Sequence, residues 1–178
     1  KTAGYDIRYA DHRTLWDDLI GNTFQKEISP KAKPEKKIAT RPHKEVYCFR
    51  AAFKYRTSTW RDIEIQGEQT LGDLDRELRT AFNHDTFDHL SGFWKLVARG
   101  SGKQVRYREV AIGDINPFMG GEAAGVTVAS LGLQVKDKLK YVYDFGDWIE
   151  HTLTLSAISD PQPDVEYPRE AARNKPKR

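Results

Sequence analysis

The sequence predicts an α+β fold: a mixed, mainly antiparallel sheet with one main helix packed on a face, plus an N-terminal helix. Three observations carry this prediction. Apolar and polar residues alternate with a period of two over several short stretches, which is typical of half-buried strands. The stretch 71–82 instead has its apolar residues at helical spacing. The elements follow the order strand–strand–helix–strand–(strand)–loop–strand–strand, which favours helix and sheet in separate layers.

The chain is predicted to divide into four segments. Residues 1–28 form an N-terminal helical segment, because an apolar stripe there has helical spacing. Residues 29–45 form a basic linker rich in Pro and Lys, with too little apolar content to pack. Residues 46–160 form the α+β domain. Residues 161–178 form a basic tail, in which Pro and charge predict a loss of order.

The domain opens with a predicted hairpin and its main helix. Val46–Tyr55 and Trp60–Ile65 are predicted as strands, and the short turn between them fits a hairpin. Thr70 is the predicted N-cap of the helix, and Asp73 stands at the capping-box position. The apolar stripe of the helix consists of Leu71, Leu74, Leu78, Ala81 and Phe82. A hairpin followed by a helix is how a β-grasp domain begins, so the prediction includes a β-grasp-like arrangement.

The second half of the domain is predicted as strands around one loop. Phe87–Val97 and Val105–Ile112 form a pair, and residues 114–125 form the loop. Leu139–Leu155 forms a second hairpin, because alternation continues on both sides of the acidic turn Asp144–Asp147. This turn contains a Gly, which adopts positive φ without a steric penalty.

The turn brings Asp144, Asp147, Glu150 and His151 close together, and two interpretations are open. In the structural one, the Asp side chains cap turn amides and the aromatic rings pack. In the chemical one, His89, Asp144, Asp147 and His151 form a metal or acid–base site suited to zinc, manganese or iron. The sequence favours the structural interpretation, because short acidic turns are common in β proteins. No cofactor is therefore predicted, with a divalent metal as the alternative.

The net charge of +3 is unevenly distributed along the chain. Lys31–Lys44 carries +5 and Pro168–Arg178 carries +4, which leaves −6 for all other residues. A domain that reads duplex DNA with its own surface carries a basic face, and the predicted folded body has no such surplus. The basic segments still offer phosphate contacts, so charge does not distinguish a protein partner from a nucleic-acid partner.

The sequence predicts a cytoplasmic protein. Cys48 is the one cysteine, so no internal disulfide forms, and its strand-like surroundings predict a small buried residue. There is no apolar run long enough for a transmembrane helix and no signal-peptide pattern. A reducing compartment and no membrane partner fit these observations best.

Several short motifs occur in a characteristic order. Trp60-Arg61 opens the second strand, Thr70-Leu71 precedes the helix, and Ala81-Phe82 ends it. His89-Leu90-Ser91-Gly92-Phe93 follows. A last motif comprises Tyr141, Tyr143, Asp144, Phe145, Gly146, Asp147 and His151, with Trp148 and Ile149 between Asp147 and His151.

These motifs resemble the plasmid pRiA4b ORF-3-like family over about Val46 to Tyr167. The family pattern has His-Leu-His-x-Phe where this chain has Ser91 as the third residue. It also has Tyr-x-Tyr-Asp-Phe-Gly-Asp-x-Trp-x-His, and here Trp148 stands one place early while Ile149 occupies the usual Trp position. The resemblance implies an association with plasmids and mobile elements, in a family whose activity is uncharacterised.

The sequence favours a non-enzymatic binding module of a mobile-element-associated protein, which recognises a protein or nucleic-acid partner. It lacks a Walker-type loop and a Gly-x-Ser-x-Gly elbow. Aromatic rings beside carboxylates favour a groove for a cationic or peptide ligand, although the same rings also suit a packed core. The rings in question are those of Trp60, Trp94, Trp148, Tyr141, Tyr143 and Phe145. The candidate binding residues are Trp60, Arg61, Tyr143, Asp144, Phe145, Asp147 and Trp148. The alternative is a metal-dependent hydrolase or nuclease that uses the Asp/His cluster at the turn.

Overall fold

A computed structural model describes residues 44–100 and 105–174, and these residues contain one seven-stranded antiparallel sheet. The strand order across the sheet is β4-β3-β5-β6-β1-β2-β7. The strands are β1 Val46–Phe53, β2 Arg56–Gln66, β3 Ser91–Arg99, β4 Arg106–Ile115, β5 Lys138–Tyr143, β6 Ile149–Ser159 and β7 Arg169–Arg173. The helices are α1 Leu71–Phe82 and a short 3-10 turn, Ala129–Leu131.

The predicted fold class was wrong. The sheet is not mixed, since every pairing of named strands in the described part of the chain is antiparallel. A β-grasp-like arrangement fails for the same reason, because β1 lies between β2 and β6 and runs antiparallel to both. Alternation reports which face of a strand is buried, and it does not report which neighbour the strand pairs with. The predicted N-terminal helix, in residues 1–28, lies outside the described residues.

The helix α1 begins and ends with well-formed caps. The Thr70 hydroxyl accepts the Asp73 amide, and the Asp73 carboxylate accepts the Thr70 amide, so the predicted capping box is confirmed. At the other end, Asn83 adopts a left-handed conformation with φ 56°, and its amide donates to the carbonyls of Arg79 and Thr80. These caps fix both ends of the segment that covers the sheet.

The helix covers one face of the sheet, which we call the inner face, and leaves the other, the outer face, without a helix from the described residues. Between α1 and the inner face lies one hydrophobic cluster, which includes Leu74 and Leu78 of the helix and Phe49, Phe93 and Leu153 of the sheet. Side chains at the alternate positions of the same strands point to the outer face. No helix in the described residues is long and apolar enough to cross a membrane.

The C-terminal segment contains a strand, contrary to the predicted loss of order after residue 160. Arg169–Arg173 pairs with β2 as the edge strand β7. The Asn174 side-chain oxygen accepts the Trp60 amide at 3.0 Å and Arg61 Nη1 at 3.2 Å, which anchors the end of the strand. Basic residues of the tail are held in ion pairs, because Arg169 contacts Glu64 and Arg173 contacts Glu170.

Candidate functional site

The β5–β6 turn is held by its own backbone and by Asp144. The Asp144 carboxylate accepts the amide of Gly146 at 2.8 Å and that of Asp147 at 3.4 Å, and its carbonyl accepts the Trp148 amide at 2.7 Å. Asp144 and Trp148 both have positive φ, 54° and 53°. An Asp tolerates this region, whereas a bulky residue such as Trp is a conformational outlier there. The turn therefore holds Trp148 in a strained conformation.

Three aromatic rings form a cluster on the outer face beside this turn. The ring centroids of Trp94, Phe145 and Trp148 lie 5.8–6.3 Å apart. Gly92, the outward-facing residue before Trp94 on β3, leaves room for two of these rings. A Cβ at Gly92 would lie 3.0 Å from Phe145 and 3.1 Å from Trp94. Trp148 keeps 49% of its surface exposed, so the cluster is open to a partner.

Lys140 also belongs to this cluster. Its ammonium lies 4.6 Å from the ring centroid of Trp94 and 5.7 Å from that of Trp148, and it also pairs with Glu109. Lys140 is only 5% exposed. The rings thus already hold one cation of the chain itself, through cation–π contact and a carboxylate.

The strand register extends the aromatic cluster across the sheet. Trp94 on β3 pairs with Lys140, Lys140 with Thr152, Thr152 with Ala52, and Ala52 with Trp60 on β2. These five residues form one row on the outer face, with a tryptophan at each end and Lys140, Thr152 and Ala52 between them. Four strand spacings separate the two tryptophans by about 19 Å. We call this row the outer-face groove.

The Trp60-Arg61 pair places its two side chains on opposite faces. The Arg50 guanidinium lies 4.3 Å from the centroid of Trp60 and makes two hydrogen bonds to Asp62, so Trp60 is fixed on the outer face. Arg61 points inward, where it donates to the Ala81 carbonyl at 3.0 Å and lies over the Phe82 ring. Arg61 therefore ties β2 to the C-terminal end of α1 and contributes nothing to the groove.

Two of the four predicted metal-ligand residues come together. His89 Nδ1 lies 3.0 Å from Asp144 Oδ2, and the His89 ring packs edge-on against Tyr143. His151 is instead fully buried, and Asp147 is exposed at the turn. Within residues 44–100 and 105–174, no three His, Cys, Asp or Glu side chains are close enough to hold a metal ion.

His151 forms a buried pair with His84. Their Nε2 atoms are 3.1 Å apart, so one ring donates a proton that the other accepts. The His84 ring also stacks on Tyr143, with 4.3 Å between centroids and 6° between planes. Burial, and then the charge of Arg79, lower the pKa of His84 to about 4. Burial, and then the neighbouring His84, lower the pKa of His151 to about 3, so both rings are neutral at pH 7.

A buried polar network joins α1 to β3 and β5. The Asp75 carboxylate accepts Arg79 Nε at 2.8 Å, the Ser91 hydroxyl at 2.6 Å and the Tyr141 hydroxyl at 2.7 Å. Arg79 Nη2 also donates to the His89 carbonyl at 2.9 Å. The network therefore fixes the strand ends that carry the His89 and Tyr143 side chains.

Comparison with known proteins decides the family. A family model described as plasmid pRiA4b ORF-3-like protein matches residues 52–177. The chain belongs to this family. The resemblance seen in the sequence is thereby confirmed, although an association with plasmids is not shown for this chain. The family match does not test the four predicted segment boundaries, which stay a prediction.

This pRiA4b ORF-3-like chain shares its fold with a solved structure. The crystal structure of a protein of unknown function, MM3350 from Methanosarcina mazei Go1, has a TM-score of 0.56 and 20% sequence identity. The matched region covers 74% of this chain and 70% of the MM3350 chain. At this identity the likeness shows the fold alone. No curated protein matches the sequence significantly.

The residues of the pRiA4b ORF-3-like motifs lie in different parts of this structure. Ser91, which replaces the second His of one motif, lies in the buried network with Asp75 and not beside His89. Tyr141 faces the same network, whereas Tyr143 donates its hydroxyl to the Asp85 carbonyl. The Asp144–Asp147 part forms the turn itself.

Several residues of these sites were not predicted from the sequence. Lys140 joined the site only through the cross-strand register, which the sequence does not display, whereas Trp94 was already a candidate groove residue from the sequence. Asp75 and Arg79 did have a signal, because they are two charged residues four apart within the apolar stripe of α1. A charged pair in a buried stripe is retained only when both members find partners.

Proposed function

We propose that the protein is a non-enzymatic binding module that recognises a protein partner through the outer-face groove and the turn beside it. The observation that carries the proposal is the row from Trp94 to Trp60, which has a tryptophan at each end with Lys140, Thr152 and Ala52 between them. Tryptophan is enriched among the residues that dominate binding energy at interfaces. A groove about 19 Å long accommodates an extended peptide segment of several residues.

The conformation of Trp148 supports the same surface. A left-handed backbone costs an L-residue about 1–2 kcal/mol, and such strain occurs preferentially at functional sites. The turn holds Trp148 half-exposed beside Phe145, although a smaller residue would adopt the same backbone more easily. A tryptophan at this position therefore fits a role in binding better than a role in fold stability.

Charge favours a protein partner with a basic segment. Asp147 is exposed at the turn, and its carboxylate makes no ion pair with any part of the chain that the structure describes. Three cations of the outer face, Arg50, Lys54 and Lys140, pair with acidic neighbours, while Lys138 lies over the Tyr107 ring. A nucleic acid requires free Lys and Arg side chains for its phosphates, whereas a Lys or Arg of a partner finds the aromatic rings and Asp147.

A metal-dependent hydrolase or nuclease is a weaker candidate. It would need His89, Asp144, Asp147 and His151 around one ion, and the structure pairs His151 with His84 instead. The Asp144 carboxylate is engaged by turn amides as well as by His89. The geometry of these side chains supports a structural role for the turn.

The proposal is tested with an array of short synthetic peptides that vary in Lys, Arg, acidic and aromatic content. We expect selective binding of basic peptides by the purified protein, and a loss of roughly 30-fold in affinity for Trp148→Ala. Phe118→Ala is the matched control, because Phe118 is also an exposed aromatic residue, 70% accessible, in the loop after β4.

Single-stranded and duplex oligonucleotides provide the competing arm of the same experiment. Binding to oligonucleotides that survives Trp148→Ala and exceeds peptide binding would reject the proposal in favour of a nucleic-acid partner. Equal losses in the Trp148 and Phe118 variants would also reject it, because the groove would then have no special role.

A further inference from the structure

A cavity of about 420 Å³ lies between α1 and the loop that follows β4. The helix contributes Arg76 and Arg79 to its wall, β4 contributes Ile115, and the loop contributes Asn116 and Ala124. Cavities of this size are typical of sites for small organic molecules. The cavity shares no residue with the outer-face groove, so its role is a separate matter from the proposed function.

Arg79 supplies a cavity wall with unsatisfied hydrogen-bonding capacity. Its side chain is 2% exposed, and Nε and Nη2 are engaged by Asp75, His89 and Ser91. Nη1 is buried and has no hydrogen-bond partner among the described residues. Leaving a buried charged donor without a partner costs more than the 1–3 kcal/mol typical of a neutral one. An acceptor atom from a ligand would remove this cost.

Other donors on the cavity wall are also uncommitted. The Asn116 side-chain oxygen accepts the amides of Phe118 and Met119, while its NH₂ group makes no hydrogen bond within the described part of the chain. Arg76 is exposed and uses Nη2 for Asp73. The acidic member of the wall, Asp75, is already matched by three donors. The available groups therefore favour an acceptor-rich, negatively charged ligand.

Part of the cavity wall is apolar, although Thr70, Thr80 and Thr86 also line it. Ile115, Pro117 and Ala124 line the cavity beside the polar groups. The loop closes on itself through paired hydrogen bonds of 2.9 Å between Asn116 and Gly120. This places Phe118 and Met119 at its tip, where they are 70% and 85% exposed. Exposed apolar side chains of this size beside a cavity suit contact with the apolar part of a ligand.

We propose that this cavity binds a small organic oxyanion, a phosphate or carboxylate group on an apolar body. The oxyanion accepts hydrogen bonds from Arg79 Nη1, Arg76 and the Asn116 amide, and the apolar body contacts Ile115, Pro117 and Ala124. Arg79 is held in place for this by Asp75 and Ser91, so the network that joins α1 to the sheet also orients the ligand-binding guanidinium.

The proposal is tested by NMR titration of the ¹⁵N-labelled 178-residue chain with phenyl phosphate, benzoate and benzyl alcohol. We expect saturable shifts for the amides around Arg76, Thr86 and Asn116 with at least one of the two anions. The uncharged benzyl alcohol should bind at least about tenfold more weakly, because it lacks the charge that the guanidinium groups favour. A response to phenyl phosphate alone identifies a phosphate ligand, and a response to benzoate alone identifies a carboxylate.

Variants separate binding from folding. Arg79→Lys keeps the charge but removes the guanidinium fork, and it should abolish the shifts if the protein remains folded. Arg76→Ala removes an exposed cavity residue and should weaken anion binding by about fivefold with the fold unchanged. Arg106→Ala is the matched control, because it removes the same charge from the exposed N-terminal end of β4. Absence of saturable shifts with both anions, equal binding of benzyl alcohol, or equal effects of Arg76→Ala and Arg106→Ala would each overturn the proposal.

Discussion

At the residue scale, Asp75 is the most constrained polar group of the described chain. Its two carboxylate oxygens accept hydrogen bonds from Arg79, Ser91 and Tyr141, and all four side chains are buried. Burial, and then the charge of Asp75, raise the pKa of Tyr141 well above its usual value, so the phenol stays a donor. The network is stable only when each member finds its partner.

Asp75→Asn should be strongly destabilising. It leaves the Arg79 guanidinium buried without a counter-charge, and breaking a buried ion pair costs about 3–5 kcal/mol. Ser91→Ala should cost less, about 1–3 kcal/mol, because Asp75 keeps Arg79 and Tyr141. Urea denaturation measures both, with Asp147→Asn at the exposed turn as the control. A free energy of unfolding for Asp75→Asn within about 0.5 kcal/mol of the Asp147→Asn value would contradict this description of the network.

The paired histidines make stability depend on pH. The pKa values of His84 and His151 are lowered in the folded protein to about 4 and about 3, whereas an unfolded His titrates near 6.5. Protonation below pH 6.5 therefore favours the unfolded chain, and the stabilisation present above that pH is lost as the pH falls towards the folded values.

We expect the free energy of unfolding to decrease as the pH is lowered from about 7.5 to about 5. His151 should account for about 2 kcal/mol of this decrease. In His151→Leu, the difference in the free energy of unfolding between the two pH values should be smaller by that amount, because a leucine does not titrate. Urea denaturation of both proteins at the two pH values is the measurement. A pH dependence that is unchanged in His151→Leu would show that other groups cause it.

At the element scale, the packing of the β5–β6 turn onto β3 depends on Gly92. A methyl group at this position would lie 3.0–3.2 Å from Phe145, Trp94 and the Gly113 carbonyl, closer than ordinary van der Waals contact. The ring cluster can relieve this only by moving away from the sheet. Gly125 offers a contrast, because a methyl group there has no atom within 4 Å.

Gly92→Ala should therefore displace the aromatic cluster while Gly125→Ala does not. We expect a change in near-UV circular dichroism and a loss of about 1–3 kcal/mol in the free energy of unfolding for Gly92→Ala, as in overpacked sites. Gly125→Ala should stay within about 0.5 kcal/mol of the unmodified protein. Identical spectra and stabilities for the two variants would mean that the turn does not pack on β3 as described.

At the scale of the whole molecule, local signals in the sequence predicted elements better than their arrangement. Thr70 and Asp73 identify the start of α1 through hydrogen bonds within three residues, and such signals depend on sequence neighbours alone. The pairing of β1 with β6 joins residues from opposite ends of the domain, and the sequence of neither strand indicates which strand it pairs with. The strand β7 was missed because it is short, charged and stabilised by its pairing with β2.

For the candidate site too, the sequence predicted residues better than their arrangement. Trp60, Trp94, Phe145 and Trp148 were candidate groove residues from the sequence, together with Tyr141 and Tyr143. The fold places the two tyrosines on the inner face instead, where both are buried. The register that aligns Trp94 with Trp60 through three intervening strands is a property of the folded sheet. The sequence therefore indicated the turn and the aromatic residues, and the fold was needed to show which of these residues share the outer face.

The most direct test of the outer-face groove uses its tryptophans as reporters. The chain has four, and ¹⁹F NMR of protein labelled with 5-fluorotryptophan resolves them, with assignment by Trp→Phe variants. On titration with a basic peptide selected on the array, we predict shifts of the Trp94, Trp148 and Trp60 resonances at a single affinity. Saturable peptide binding that leaves Trp94 and Trp148 unshifted would contradict the account.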